Sequence, residues 1–433
     1  MYNPISTYRI QFHKDFSFDD LQRILPYLRK LGIGTLYASP VFKAVPGSVH
    51  GYDSLDPQQV NPELGSEEQL EEISRELKSA GIGWLQDIVP NHMAYDPRNE
   101  WLMDVLEKGP QSLYGRFFDI TGHKEKLMVP FLGATLDEAL SNGEVKLAYD
   151  NQRFVLQYYE SAYPVNPRSY ESILTATEAK PNQALSQLLQ HLPQMHQVED
   201  PGTYAQQWNE FRQQLAALMK HEASAEYIRK CIDAVNADTD LLKRIAGEQS
   251  YRLCHWQETD TRINYRRFFT VNGLICLNIQ DPQVFQAHHQ LAEALVKKGI
   301  FNGLRIDHID GLHDPNQYLE DLRQLAGDDA YIVVEKILEP GEGLPEEWPI
   351  QGNTGYDFLS IVNNLFTGKS AEKAFTQFYQ KLTRNRHSIH RQLHEKKSLI
   401  LHRHMGGELE NLYRLFSQLN LVEKRQLSTI HPD

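Results

Sequence analysis

Gly303-Leu304-Arg305-Ile306-Asp307-His308 and Tyr331-Ile332-Val333-Val334-Glu335-Lys336 decide how this chain folds. Each is a short apolar run that ends on charged residues. Between them Asp314-Pro315 opens a helix, with Tyr318, Leu322 and Leu325 facing inward and an end near Gly327. Strand, helix and strand joined by short connections make a parallel sheet. The charged residues stand at the C-terminal ends of the strands, where (β/α)8 barrels carry their sites.

The same alternation opens the chain. Thr7-Tyr8-Arg9-Ile10-Gln11-Phe12 alternates with period two, and Leu21, Ile24, Leu25, Leu28 and Leu31 recur with helical spacing despite Pro26. Gly34 to Pro40 is a second strand. Ser66 with Gln69 reads as a capping box for a helix with Leu70, Ile73 and Leu77 on one face. Gly83 to Val89 is a third strand. Asp281-Pro282 starts a helix that runs to about Lys298. A sixth strand is expected near Phe358 to Val362.

The stretch between the third and fourth strands is too long for one connection. It holds mixed runs such as Phe154 to Tyr159 and, over residues 203–250, a helical composition. The expected fold is therefore α/β: a (β/α)8 TIM-type barrel, incomplete at the C-terminus, with a large insertion after the third strand. The expected segments are residues 1–92 (strands 1–3), 93–280 (inserted, mixed then helical), 281–365 (strands 4–6) and 366–433 (helical).

Composition excludes several classes. The formal net charge is −13, which argues against nucleic acid or an anionic membrane as a partner. The three cysteines, Cys231, Cys254 and Cys276, include no C-x-x-C pair. A disulfide framework or a zinc site is not implied. The N-terminus lacks the basic and apolar regions of a secretion signal, and no window is apolar enough to span a membrane. A cytoplasmic location is expected.

Four segments carry chemistry, and each follows a strand. They are His50-Gly51-Tyr52-Asp53, Asp87-Ile88-Val89-Pro90-Asn91-His92, the Arg305/Asp307 segment and Glu335. Two carboxylates on adjacent strand ends, one beside an arginine, suit retaining glycoside chemistry. One attacks the anomeric carbon; the other donates and then accepts the leaving-group proton. An isolated acid at a strand end is more often a cap or an ion-pair member; the order, spacing and Arg305 favour catalysis for Asp307 and Glu335. His92 alone could be a satisfied buried histidine, and Tyr52 alone could be core packing. His288-His289 sits mid-helix without an acidic partner at ligand spacing, so no metal site is read there. Residues 396–404 read as a solvated helix face.

The segments Asp87-x-x-x-Asn91-His92, Gly303-x-Arg305-x-Asp307 and Glu335 resemble the first signature regions of the α-amylase superfamily, in order. The strings Ser6 to Phe12, Gly47 to Asp53, Asn61 to Gly65, Val89 to Ala94, Asn264 to Phe269 and Gly355 to Phe358 resemble one branch, the maltooligosyl trehalose synthase family. The resemblance runs from residue 5 to about 420. It implies an isomerase that moves the reducing-end α-1,4 linkage of a maltooligosaccharide, or another linear α-glucan, to an α,α-1,1 linkage. It implies Asp307 as nucleophile, Arg305 as its orienting partner and Glu335 as general acid and base. His92 would contact the sugar, Tyr52 would stack beneath it, His50 and His308 would help to bind the substrate, and Asp87 and Asn91, also counted with the substrate-binding residues, would shape the site. No cofactor is implied.

The family also uses a third carboxylate, in a His-Asp pair after a seventh strand. No segment here matches it; Ile430-His431-Pro432-Asp433 holds both residue types in another context. Ile309 stands in place of a usual proline and Asn353 in place of a threonine. The alternatives are an α-glucan hydrolase, a non-catalytic remnant, or one subunit of a split enzyme completed by a second polypeptide.

Overall fold

The computed structural model describes residues 2–121, 125–150, 152–339 and 341–419. The Ile430 to Asp433 string lies outside these residues. The chain divides into two compact units. One joins the residues up to 92 with 279–409; the other joins 93–278 with the described residues from 410 onward.

The first unit holds six parallel strands: β1 (Thr7–Ile10), β2 (Thr35–Ala38), β3 (Gly83–Ile88), β4 (Gly303–Ile306), β5 (Tyr331–Val334) and β6 (Gly352–Asn353). They lie side by side in chain order. Up to β5 each parallel neighbour is reached through a helix, the winding of a (β/α)8 barrel. Among the described residues the ring is open, since no strand joins β6 back to β1.

The helices form where the apolar spacing indicates. Helix α1 (Phe18–Leu31) buries Phe18, Leu21, Leu25 and Leu28, and ends at Gly32 in the left-handed conformation. Pro26 lies inside it; the buried face holds the helix together across the missing backbone donor. Helix α2 (Glu67–Ser79) buries Leu70, Ile73 and Leu77. Its Ser66 cap accepts from the Gln69 amide at 3.2 Å, but the Gln69 side chain turns to Asp19 and Gln22 instead of returning to the cap. The reciprocal capping box sits at Ser17 and Asp20, where the Ser17 amide donates to Asp20 at 2.7 Å. Helices α3 (Pro282–Lys297) and α4 (Pro315–Ala326) start at Asp281 and Asp314 as the sequence indicates.

Leu36, Trp84, Ile88, Leu304, Ile306, Ile332 and Val334 are fully or almost fully buried in the sheet. Phe12, Trp84 and Phe301 stack in a row at 6.2 and 6.1 Å, which seals the lower core.

One strand lies elsewhere than expected. Phe358 to Val362 belongs to helix α5 (Tyr356–Asn364), and the sixth strand is the short Gly352–Asn353 before it. An unbroken apolar run is ambiguous between strand and helix. Gly355 in the left-handed conformation turns the chain into the helix, and Asp357 in the first turn suits the helix dipole. After α5 the chain remains helical, over Glu372–Thr383 and Ile389–His404.

The second unit contains a three-stranded antiparallel sheet (Val145–Asp150, Arg153–Tyr158, Ser161–Pro164), a parallel pair (Leu127–Leu132, Tyr251–His255) and the helices Pro201–Leu218, Glu222–Ala237 and Thr239–Glu248. Among the described residues no helix is long and apolar enough to cross a membrane.

Candidate active site

The register of three strands builds the site. Arg305 on β4 lies opposite Asp87 on β3 and Val333 on β5, and Ile306 lies opposite Ile88 and Val334. One residue further, the Asp307 amide donates to the Ile88 carbonyl at 2.9 Å and the Glu335 amide donates to the Ile306 carbonyl at 2.8 Å. Asp307 and Glu335 therefore leave neighbouring strands at the same level. Parallel strands run about 4.8 Å apart, so the two acids leave the sheet as neighbours. Arg305 and Asp307, two residues apart, share one face of the strand. Both acids are half-buried.

Arg305 is clamped between two acids. Its Nη1 lies 2.8 Å from Asp87 Oδ1 and 2.6 Å from Asp307 Oδ1. Burial works against its charge, but the facing Asp87, with Tyr37 and Asp307, outweighs it and holds the guanidinium firmly protonated. Asp87 is fully buried. Its Oδ2 accepts from the hydroxyls of Tyr37 at 3.0 Å and Tyr52 at 2.6 Å. Burial pushes its carboxyl up to about 6, against the pull of Arg305 and the Tyr52 hydroxyl. Burial and the neighbouring Asp87 in turn raise both tyrosines above the ordinary phenol range.

The His50-Gly51-Tyr52 turn aims Tyr52 at this cluster. Gly51 has a φ of 78°, and a Cβ there would meet the Pro40 carbonyl oxygen at 2.7 Å, so only glycine fits. The half-exposed His50 accepts the Tyr52 amide on Nδ1 at 3.0 Å and holds the turn. His308 adopts a left-handed φ of 53°. This aims its amide at Glu335 Oε2, 3.1 Å away. A side chain on Gly311 would strike the His308 ring.

Asn91 and His92 pair with each other, Nδ2 to Nδ1, at 3.2 Å. Each is 1% exposed. They lie under the surface, and the residues bordering the open cavity at the strand ends include neither of them, nor Asp307 or Glu335. That cavity, of about 640 Å³, is bordered by Arg9, Tyr37, Tyr52, Arg305, Gly355 and Tyr356 among others.

Two members of this wall were missed from the sequence. Tyr37 ties β2 to Asp87. Arg9 donates to the Tyr52 hydroxyl at 3.3 Å and to Gln11 at 3.0 Å, and lies 5.4 Å over the Tyr37 ring. Period-two alternation places Arg9 and Gln11 on one face of β1, but which face meets the site is set by the pairing of Arg9 with Tyr37 across β1 and β2.

The α-amylase catalytic domain family matches residues 18–162. A Mycobacterium tuberculosis protein named as a maltooligosyl trehalose synthase is 32% identical over 381 residues, 86% of this chain and 40% of that protein.

Over residues 18–162 the chain is similar to the α-amylase superfamily.

Within the superfamily, the likeness that runs the length of the chain is to maltooligosyl trehalose synthases. A solved glycosyltrehalose synthase superposes with a TM-score of 0.77 at 34% identity, covering 95% of this chain and 48% of the other. The maltooligosyltrehalose synthase from Arthrobacter ramosus superposes with a TM-score of 0.73 at 30% identity, covering 95% and 45%. The chain thus spans less than half the length of each of these relatives.

Proposed function

We propose that this chain carries the site of an intramolecular transglucosylation that makes maltooligosyl trehalose from maltooligosaccharides. The observation that supports it is the pair Asp307 and Glu335 leaving adjacent strands in register, with Arg305 on Asp307. Relatives named as maltooligosyl trehalose synthases supply the substrate class.

The Asp307 carboxylate attacks the anomeric carbon next to the last glucose. The bond from that carbon to the O4 of the leaving glucose breaks, and Glu335 gives its proton to O4. The freed glucose stays, turns, and presents its own anomeric hydroxyl. Glu335 takes that proton back as the oxygen attacks the glucosyl-Asp307 carbon. One α-1,4 bond is lost, one α,α-1,1 bond is formed and no water is consumed. Arg305 orients the nucleophile. Asp87 holds Arg305 from the other side and fixes the Tyr52 hydroxyl, which leaves the Tyr52 ring as a face for the sugar. His308 presents its amide to Glu335. His92 and Asn91 shape the site from below.

The test is maltopentaose labelled at its reducing end, incubated with the protein. The expected product keeps all five glucoses and the label but loses its reducing end. Shortened chains indicate a hydrolase, and an unchanged substrate contradicts the proposal. Asp307→Asn should abolish turnover; retained turnover removes Asp307 from its role.

A further inference from the structure

Tyr52 is held from a second side that the chemistry above does not use. Its hydroxyl gives its proton to Asp87 Oδ2 at 2.6 Å and accepts from Arg9 Nη2 at 3.3 Å. A phenol has one proton to give and lone pairs to receive. The two bonds therefore fit one hydroxyl, and they pin the tip of the ring between β1 and β3.

Arg9 is itself fixed. Its Nη1 donates to Gln11 Oε1 at 3.0 Å. Its guanidinium lies 5.4 Å from the centre of the Tyr37 ring, within reach of a cation–π contact. The Gln11 amide works at both ends: its oxygen takes Arg9, and its nitrogen donates to the Val49 carbonyl at 2.7 Å. Arg9 and Gln11 thus hold the 49–52 turn twice, by the backbone at Val49 and by the side chain at Tyr52. Inside the turn the Gly51 amide donates to Ser48 Oγ at 3.1 Å. No carboxylate pairs with Arg9 among the described residues; its guanidinium serves two phenols and an amide.

Both phenols end on one atom. Tyr37 and Tyr52 donate to Asp87 Oδ2, while Arg305 Nη1 reaches Asp87 Oδ1 and Asp307. An unbroken run of hydrogen bonds leads from Arg9 through Tyr52, Asp87 and Arg305 to Asp307.

We propose that Arg9, braced by Gln11, is a positioning residue: it fixes the Tyr52 ring at the cavity wall and the hydroxyls that hold Asp87. That this ring is a face for sugar rests on the function proposed above; the brace itself does not.

The test uses the full chain without sugar, labelled with 13C at the tyrosine Cζ and the aspartate carboxyl. Tyr52→Phe and Asp87→Asn assign the two signals. Arg9→Met keeps the stem and removes the donors. It should shift the Tyr52 Cζ resonance and move the Asp87 titration midpoint upward. Without Arg9 the Tyr52 hydroxyl is a weaker donor and a nearby cation is lost, and both changes favour the proton on Asp87. Arg305 and Asp307, the charged groups that face Asp87, stay in place. Arg9→Lys, which restores a charged donor, should bring both signals back towards wild type. Either signal unchanged in Arg9→Met overturns the inference. So does a change that Arg9→Lys does not reverse at all, because loosened packing alone would give that. Should Arg9→Met fail to fold, Gln11→Leu decides: it unties Arg9 and Val49 and should shift the Tyr52 resonance, and no shift overturns the inference. Loss of glucan turnover, in contrast, bears only on the proposed function.

Discussion

Asp87 accepts three hydrogen bonds on two oxygens while fully buried, and so links β2, β3, β4 and the Tyr52 turn. Its donors, two phenols and a guanidinium, suit the ionised carboxylate. With its carboxyl pushed up to about 6, protonation on the acid side removes the charge that holds Arg305 from behind. Turnover should therefore fall as pH drops through about 6, and the carbon resonance of the Asp87 carboxyl should titrate there. A midpoint near the ordinary value of 3.8 contradicts this. Asp307 and Glu335 were legible because each ends an apolar run, and Asp87 and Arg305 because they stand in the segments that resemble the family's signature regions. Arg9 and Tyr37 lie within their strands, and which face of a strand points into the site depends on neighbours that a linear pattern does not name. The burial of His92 is likewise set by packing rather than by position at a strand end.

At the scale of elements, α3 carries a matching sensitivity. Burial lowers His289 from 6.5 to about 4 and also holds His288 well below the usual histidine range. A depressed histidine contributes stability that is present above the unfolded value and is lost as pH falls from 6.5 towards 4. At about 1.4 kcal/mol per unit, His289 alone accounts for roughly 3 kcal/mol, and His288 acts in the same direction. Asp87 acts oppositely. Its raised value means stability that is present at low pH and lost as pH rises through about 6, roughly 3 kcal/mol across the same window. Two histidines outweigh one carboxylate. The melting temperature should therefore drop between pH 6.5 and 4, and His289→Gln should flatten that drop. A curve that is flat or rises on acidification contradicts the assignment. Elements with a cap and a clean period, such as α3 after Asp281-Pro282, were legible to within a residue. The sixth strand was not, because Gly352–Asn353 has only two residues and no apolar pattern, while the apolar run beside it is a helix.

At the scale of the molecule, the open sheet is accompanied by a large uncovered apolar face. In the first unit Phe358, Ile361, Leu365, Phe366, Phe375, Phe378, Leu382 and Ile389 are each more than 60% exposed. Soluble chains rarely leave so large a patch in water. The protein should bind a hydrophobic dye and gain mass with concentration in sedimentation. A dye-silent monomer at every concentration contradicts this. An incomplete barrel implies exposed core, but which helix faces stay uncovered was not legible, because helical spacing shows that a face is apolar and not what covers it.

The account as a whole depends on Asp307 and Glu335 acting on one bond. An activated 5-fluoro glucosyl fluoride, applied to the Glu335→Gln protein, tests it most directly, because fluoride leaves without a proton and the slowed intermediate accumulates. Peptide mass spectrometry should find one hexosyl adduct, on Asp307. An adduct on another carboxylate, or none, would contradict the account.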